Sequence, residues 1–174
     1  ICINAGDGTF LTSVEFNLGL NARCISIIGE DLDGDKDKDI VVVTQSEFIH
    51  VYENLGNNDK GNWNGVSLKR SIAVDTSTCS LRSLDLELDG DVDLVVAQRD
   101  LPQFTLLKNL GGWNFELEAI PASYTSELIE PADLNNDGYT DLTVVNKVHG
   151  TFTVYVNNGS GQFIKDFGSS TNTD

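Results

Sequence analysis

An acidic pattern occurs three times in this chain of 174 residues, and this repetition constrains the fold more than any other feature. Each copy places oxygen-bearing side chains at positions 1, 3, 5 and 9 of a short segment, and an apolar run typical of a β-strand follows at once. The three segments, which we call loops one, two and three, are residues 31–39, 85–93 and 133–141. The apolar runs after them are residues 40–43, 94–97 and 142–145. The pattern therefore predicts three equivalent loops that each connect two strands.

The spacing of oxygen atoms in the loops is typical of a calcium site. Calcium binds about six to eight oxygen ligands, and alternating carboxylates can surround it from a single loop. Glycine at position 6, as in Gly90 and Gly138, permits the sharp turn that lets the carbonyl at position 7 face the ion. Lys36 stands at position 6 of loop one, so loop one departs from the pattern and ranks below the others in expected geometry. We predict up to three Ca²⁺ ions, with ligands drawn from Asp31, Asp33, Asp35, Asp37, Asp39, Asp85, Glu87, Asp89, Asp91, Asp93, Asp133, Asn135, Asp137, Tyr139 and Asp141.

Two other interpretations of the loops are weaker. An EF-hand loop needs a bidentate Glu at position 12 and a helix on each side. Position 12 is Val42, Val96 or Val144, each within a β-branched run, so the EF-hand interpretation fails in every copy, and dockerin-like pairs fail for the same reason. A solvated acidic turn without metal would explain one such loop, but it explains three loops in the same register poorly.

The distribution of charge supports the metal interpretation. The loops hold five, five and three of the 27 acidic side chains, which would repel one another without a cation. The formal net charge is -16, and the chain has 11 Lys and Arg residues. Nucleic acids and anionic membranes need a basic surface on their partner. We therefore expect neither nucleic-acid binding nor membrane insertion.

A second motif recurs together with the acidic loops. Asp31 and Asp85 are 54 residues apart, and Asp85 and Asp133 are 48 apart, periods that are typical of propellers and solenoids. The second motif is Asn-x-Gly, followed in most copies by an aromatic residue, and an insertion at residues 57–64 interrupts one copy. Its four copies begin at Asn4, Asn54, Asn109 and Asn157.

Short strands fill the intervals between the two motifs. One apolar segment leads into each acidic loop, one follows it, one ends at each Asn-x-Gly turn, and one follows that turn. Four short antiparallel strands per repeat are typical of a propeller blade, so we predict an all-β fold of β-propeller blades. The predicted units are a half blade at 1–20, blades at about 21–75, 76–121 and 122–168, and a tail at 169–174.

The two motifs together resemble the FG-GAP/VCBS repeat, the blade unit of the integrin α-subunit propeller and of many secreted proteins. The resemblance covers essentially the whole chain. It implies calcium bound in the loop between the first and second strands of a blade, held by the loop residues named above. It does not imply one function, because such blades serve adhesion, lectin and enzyme-accessory roles alike.

Three complete repeats and a half are too few for a closed ring. Closed propellers typically have about four to eight blades. Three explanations stay open: the chain is part of a longer propeller, it closes by assembling with other copies, or it stacks into a filament. Open blade edges would suit strand addition from another subunit.

The composition favours an extracellular setting. The chain contains no Met and no apolar run long enough to span a bilayer, which favours a processed or excised soluble segment. Exposed acidic calcium sites fill where free calcium is in the millimolar range, so we expect a secreted or cell-surface protein.

Covalent modification is predicted at two places. Cys2, Cys24 and Cys79 are an odd number, so at most one internal disulfide forms. If a bridge exists, we predict that it joins Cys24 to Cys79, because each lies just ahead of an acidic loop, with Cys2 free or paired to a missing segment; three buried reduced thiols are the alternative. Asn158 begins an N-glycosylation sequon in a tight turn.

Binding is a better hypothesis for the function than catalysis. His50 and His149 are far apart in the sequence, and the candidate acid and base carboxylates are already explained as metal ligands. Trp63 lies on the polar insertion, where it could contact a glycan or a protein, although packing between blades explains Trp63, Trp113 and Tyr139 at least as well. We expect a calcium-binding, non-catalytic adhesion or recognition scaffold whose partner is a protein, a glycan or further copies of itself. The alternatives are a self-assembling structural protein and a carbohydrate-binding accessory module of a secreted enzyme.

Overall fold

The computed structural model of the protein describes residues 1–17, 23–45, 47–74 and 77–166. Within these ranges the regular secondary structure consists of β-strands. The strands are β1 (Cys2–Asn4), β2 (Phe10–Ser13), β3 (Cys24–Glu30), β4 (Asp39–Thr44), β5 (Phe48–Asn54), β6 (Val66–Ala73), β7 (Thr78–Leu84), β8 (Asp93–Gln98), β9 (Gln103–Asn109), β10 (Phe115–Pro121), β11 (Leu128–Ala132), β12 (Asp141–Asn146), β13 (Thr151–Asn157) and β14 (Phe163–Asp166).

Four consecutive strands form each large sheet. Strands β3–β6 form sheet one, β7–β10 form sheet two and β11–β14 form sheet three, and all neighbouring strands are antiparallel. The first strands of successive sheets lie beside one another, β3 next to β7 and β7 next to β11. This arrangement confirms the predicted all-β fold of propeller blades, with β1 and β2 as a two-stranded half repeat before them. The predicted tail at 169–174 lies outside the described residues.

Two apolar cores hold the three sheets together. Side chains alternate between the faces of a strand, so β8 serves both cores: Leu94 and Val96 face sheet one, whereas Val95 and Ala97 face sheet three. Every residue of β8 is buried, which explains why this strand is a continuous apolar run rather than an alternating one. Sheet two is therefore the centre of the described structure.

Sheet three has one face that no other described sheet covers. The residues on this open face are apolar and exposed, with Phe152 at 69%, Ile164 at 60% and Leu128 at 49% of their full exposure. Leu134, at position 2 of loop three, is also exposed, whereas its equivalents Leu32 and Leu86 are buried under the following sheet. The open face thus has the apolar character that elsewhere in the chain packs against another blade.

The predicted bridge between Cys24 and Cys79 is not formed. All three cysteines are free thiols. Cys24 lines a groove between the β1–β2 hairpin and sheet one. Cys79 instead faces sheet three, where its thiol lies 3.1 Å from the carbonyl oxygen of Ser126, and burial raises its pKa to about 11. The two thiols belong to different inter-sheet spaces, so equivalent places in successive repeats do not bring them together.

Truncation of Phe104 should show how far the second core stabilises the fold. Its ring is fully buried and meets the rings of Tyr155 and Phe163 edge-on, at 5.1 and 6.2 Å between centroids. We expect Phe104→Ala to lower the free energy of unfolding in urea by about 3–5 kcal/mol, because it leaves a cavity between sheets two and three. Phe152→Ala on the open face is the matched control, expected to cost less than about 1 kcal/mol. Equal losses in the two variants would contradict this account of the core.

Candidate metal centre and the loop-turn junction

The three acidic loops share one backbone conformation. Positions 4 and 6 have positive φ in every loop: Gly34 and Lys36 at 82° and 78°, Leu88 and Gly90 at 57° and 92°, Asn136 and Gly138 at 62° and 91°. Lys36 thus departs from the pattern in sequence but not in backbone conformation. Lysine adopts the left-handed conformation that glycine adopts in the other two loops, at some cost in backbone strain.

The carboxylate at position 1 closes each loop on itself. Asp31 accepts hydrogen bonds from the backbone N–H groups of Gly34 and Lys36, at 2.8 and 2.9 Å. In the other two loops the donors are at positions 5 and 6: Asp85 accepts from Asp89 and Gly90, and Asp133 accepts from Asp137 and Gly138, at 3.0–3.2 Å. The position 5 side chains, Asp35, Asp89 and Asp137, each accept the N–H two residues later, at position 7, which is Asp37, Asp91 or Tyr139. These hydrogen bonds hold the carboxylates at positions 1 and 5 against the backbone of their own loop.

The carboxylate at position 9 connects the acidic loop to the Asn-x-Gly turn of the same sheet. Asp93 is 2% exposed, and its two oxygens accept the N–H groups of Leu86 and Asn109, at 2.9 and 2.7 Å. Asp39 accepts the N–H groups of Leu32 and Asn54, and Asp141 accepts those of Leu134 and Asn157, at 2.9–3.1 Å. Each buried charge thus has a backbone donor on each oxygen, which offsets much of the cost of burying it.

The turn asparagine carries this connection into the neighbouring sheet. The Asn109 side-chain amide donates to the carbonyl oxygen of Leu32 in loop one at 2.9 Å. The Asn157 amide donates in the same way to the carbonyl oxygen of Leu86 in loop two at 3.1 Å. We call the position 9 aspartate, the turn asparagine and the position 2 residue of the preceding loop the loop-turn junction. In the sequence these asparagines are recognisable only as turn residues, and their recurrence in phase with the loops is the signal for this second role.

Loop one brings carboxylates together as a calcium site requires. Oxygens of Asp31, Asp33 and Asp39 all lie within 4.8 Å of one another, and among the described residues no other set of three acidic, His or Cys side chains does so. Oxygens bound to one calcium ion at roughly 2.3–2.6 Å lie at most about 5 Å apart, so these residues fit the ion. Burial, followed by nearby carboxylates that include Asp35, raises the pKa of Asp33, and burial raises that of Asp39. A cation would relieve this unfavourable concentration of charge.

In loops two and three, several predicted ligands interact with other groups of the protein. Glu87, at position 3 of loop two, forms an ion pair with Lys108 at 2.9 Å. Burial raises the pKa of Asp93 to about 6. In loop three, the Asn135 side chain bonds to Asp137 both as donor and as acceptor, at 2.8 Å in each case.

The side chains at position 7 lie against the Asn-x-Gly turn. A Cβ atom placed on Gly159 would be 2.8 Å from the Tyr139 ring, and one on Gly56 would be 2.5 Å from an Asp37 oxygen. Gly56 and Gly159 therefore leave room for these side chains and also adopt positive φ, whereas the equivalent Gly111 of sheet two has no atom within 4 Å of its Cβ position. This packing leaves the backbone carbonyl as the group that position 7 would offer to an ion.

The predicted contact residues outside the loops take part in local packing. Trp63 is half-buried; its indole N–H donates to the Asn54 side-chain oxygen at 2.7 Å, and its ring meets Phe16 edge-on. This arrangement favours the packing interpretation of Trp63, and a ligand contact there stays a prediction. Asn158 is exposed, and its side-chain oxygen accepts the N–H and O–H of Ser160 at 3.0 and 2.7 Å, so the sequon is accessible.

The other end of the sheets carries a polar groove. It lies between sheets one and two, measures about 530 Å³ and is lined by residues that include Glu47, Thr78 and Arg99. The Thr78 hydroxyl oxygen and the side-chain nitrogen of the adjacent Gln98 are buried, and neither has a hydrogen-bond partner in the described part of the chain. Water or a hydroxyl-bearing ligand could satisfy these groups.

The recurring loops and turns correspond to a known family. A sequence model described as FG-GAP-like repeat matches residues 31–96 and 85–144, which together make up more than half of the chain. The chain belongs to the FG-GAP-like repeat family. Each match begins at the first residue of an acidic loop and ends in the strand after the next loop, so each contains a position 9 aspartate together with the turn asparagine of the same sheet. The family and the fold together make this chain a propeller-type scaffold.

Comparison with other proteins adds little beyond the family. A solved structure that resembles this chain is titled "Crystal structure of BBS1N in complex with ARL6DN, soaked with lead", with 14% sequence identity and a TM-score of 0.49. The alignment covers 81% of this chain and 42% of that one, so this chain spans less than half of its length. A search of curated proteins found no match.

Loss of the Asn109 side chain should test the junction between sheets one and two. Asn109→Ala leaves the buried carbonyl of Leu32 without its donor, and we expect the free energy of unfolding to fall by about 2–3 kcal/mol. Asn114→Ala is the matched control, because Asn114 is exposed and bonds only to carbonyls of its own turn. Urea denaturation followed by tryptophan fluorescence measures both. A loss in Asn109→Ala no larger than that in the control would show that the junction contributes nothing to stability.

Proposed function

We propose that this chain is a calcium-binding, non-catalytic recognition scaffold of an extracellular protein. The observation that carries the proposal is the convergence of the Asp31, Asp33 and Asp39 oxygens within 4.8 Å. The loop backbone holds Asp31 and Asp39 in place through hydrogen bonds of 2.8–2.9 Å. When bound, calcium supplies positive charge that links these carboxylates. The chain's own contribution is a preformed loop in which little needs to be ordered on binding.

The scaffold role rests on how the acidic loops and turns are distributed. In each of the three large sheets the acidic loop and the Asn-x-Gly turn lie at the same end, because the four strands run antiparallel in chain order. Metal binding at that end would stiffen the sheets and leave the other end, with its polar groove, for contact with a partner. FG-GAP-like repeats are typical of extracellular proteins, where millimolar calcium would fill exposed sites. Within the described residues, no helix has the length and apolar character that a membrane span requires.

The environment of the two histidines supports a non-catalytic role. His50 in sheet one accepts or donates a hydrogen bond to Ser71 at 2.9 Å and stacks on Phe48, and burial lowers its pKa. His149, in the turn between β12 and β13 of sheet three, packs against the Tyr124 ring, 4.0 Å between centroids. Each ring is thus engaged in local packing, on a different sheet from the other.

Calcium titration tests the proposed function. We expect the wild-type melting temperature to rise with calcium and to fall again with excess chelator, because an ion bound at about 100 times its dissociation constant adds about 2.7 kcal/mol to the free energy of unfolding. Asp33→Asn should remove most of the effect, since it deletes one of the three converging carboxylates. Asp59→Asn on the exposed insertion makes the same change in charge and should leave the effect intact. Wild-type protein that neither binds calcium by calorimetry nor gains stability would refute the proposal.

A second candidate function is assembly through the open face of sheet three. Leu128, Phe152 and Ile164 are exposed there, and the equivalent face of sheet two is covered by sheet three itself. The repeat thus presents a surface that another blade of the same kind would fit, either from a second copy or from a further repeat. Such assembly would give a structural protein rather than a recognition domain.

Sedimentation velocity separates the two candidates. If the open face joins copies, wild-type protein should form large particles in calcium, and Phe152→Ser combined with Ile164→Ser should sediment as a monomer. Val148→Ser is the control, because Val148 is 81% exposed but lies in the turn between β12 and β13. A monomeric wild type at all calcium concentrations would exclude the assembly function and leave the recognition scaffold.

A further inference from the structure

Two positions in and near the acidic loops differ in charge from one sheet to the next. One is position 3 of the loop, and the other is the residue just before the turn asparagine. These pairs are Asp33 and Glu53 in sheet one, Glu87 and Lys108 in sheet two, and Asn135 and Val156 in sheet three. Sheet one thus has two carboxylates, sheet two a carboxylate and an ammonium, and sheet three no charge. The backbone conformation is the same in all three, so the difference between the loops is electrostatic.

The pair in sheet two is well defined. The Lys108 ammonium lies 2.9 Å from the Glu87 carboxylate and 3.9 Å from that of Glu118, and the Lys108 and Glu87 side chains are 22% and 31% exposed. A turn of sheet three covers the pair: a Cβ atom on Gly161 would be 3.0 Å from Glu87 and 3.4 Å from the ammonium nitrogen. The hydrogen bond that the Lys108 ammonium donates to Glu87 raises the pKa of Lys108, so the ammonium stays charged. This enclosed pair is more than a mobile surface contact.

The pair changes what loop two can offer to calcium. Position 3 is one of the alternating oxygen positions of the loop, and in loop two its oxygen is already bound to a cation. A divalent ion in loop two would also lie near the Lys108 ammonium and be repelled by it. Loop one has the opposite arrangement, because the Glu53 carboxylate adds negative charge near Asp33. The ion-pair partner of Glu53 is Lys69 on β6, at 2.9 Å.

We propose that Lys108 is the built-in counter-ion of loop two. It neutralises the position 3 carboxylate, so loop two stays folded without calcium and binds the ion more weakly than loop one does. The inference rests on the proposed calcium function and assigns unequal roles to loops that look equivalent in sequence. Loop one is then the loop that calcium stabilises, and loop two is held by the Lys108–Glu87 ion pair without a metal ion.

Removal of the ammonium tests the inference in the full chain. Lys108→Met keeps the length of the side chain, and Lys108→Gln serves as a second variant if the first folds poorly. We expect either variant to bind calcium at loop two at least about tenfold more tightly than the wild type does, measured by calorimetry. In excess chelator the same variants should melt at a lower temperature than the wild type, and calcium should restore the loss. Lys147→Met at the other end of the sheets makes the same change in net charge and should alter neither quantity.

The outcomes separate this inference from the proposed function. Wild type that binds calcium, with Lys108 variants whose affinities stay within about twofold of it, would overturn the inference alone. An equally large increase in calcium affinity in Lys147→Met would also overturn the inference, because the effect would then come from net charge. If neither the wild type nor the Lys108 variants bind calcium, both proposals fail. The double variant with Glu87→Gln and Lys108→Met should lose the increase in calcium affinity, which would support the assignment of the effect to loop two.

Discussion

The rest of the structure depends on the buried aspartate at position 9 of each acidic loop. A carboxylate in an apolar surrounding is costly unless both oxygens have donors. Asp39, Asp93 and Asp141 meet that requirement with the same two backbone N–H groups, one from the start of the loop and one from the end of the third strand. Each buried carboxylate therefore binds two segments of the chain at once. One donor lies 7 residues before the aspartate, and the other lies 15 or 16 residues after it.

The same contacts make the blades dependent on one another. The carbonyl of Leu32 in sheet one receives its hydrogen bond from Asn109 in sheet two, and Leu86 in sheet two depends in the same way on Asn157 in sheet three. The leucine side chains beside these carbonyls enter the apolar cores between the sheets. Polar and apolar contacts thus coincide at each junction, which favours cooperative stability along the array of repeats.

Equivalent loops need not have equivalent chemistry. The backbone of the loops is set by hydrogen bonds that every copy makes, so the side chains around it are free to differ in charge. Loop one concentrates carboxylates, loop two places an ammonium against Glu87, and loop three substitutes Asn135. A repeat fold can in this way place loops of different charge on one backbone without any change in architecture.

The sequence by itself determined the local features of this protein: the acidic loops, the Asn-x-Gly turns and the short strands between them. These follow from backbone preferences and from the alternation of apolar residues, which act over a few neighbouring positions. The tertiary structure decided the rest, because it depends on contacts between segments far apart in the chain. Lys36 adopts the glycine conformation because its loop is held by Asp31, Cys24 and Cys79 face different inter-sheet spaces, and Lys108 meets Glu87 only across neighbouring strands. No spacing rule in the sequence reports which side chains meet between such distant segments, and those contacts set the charge around each loop.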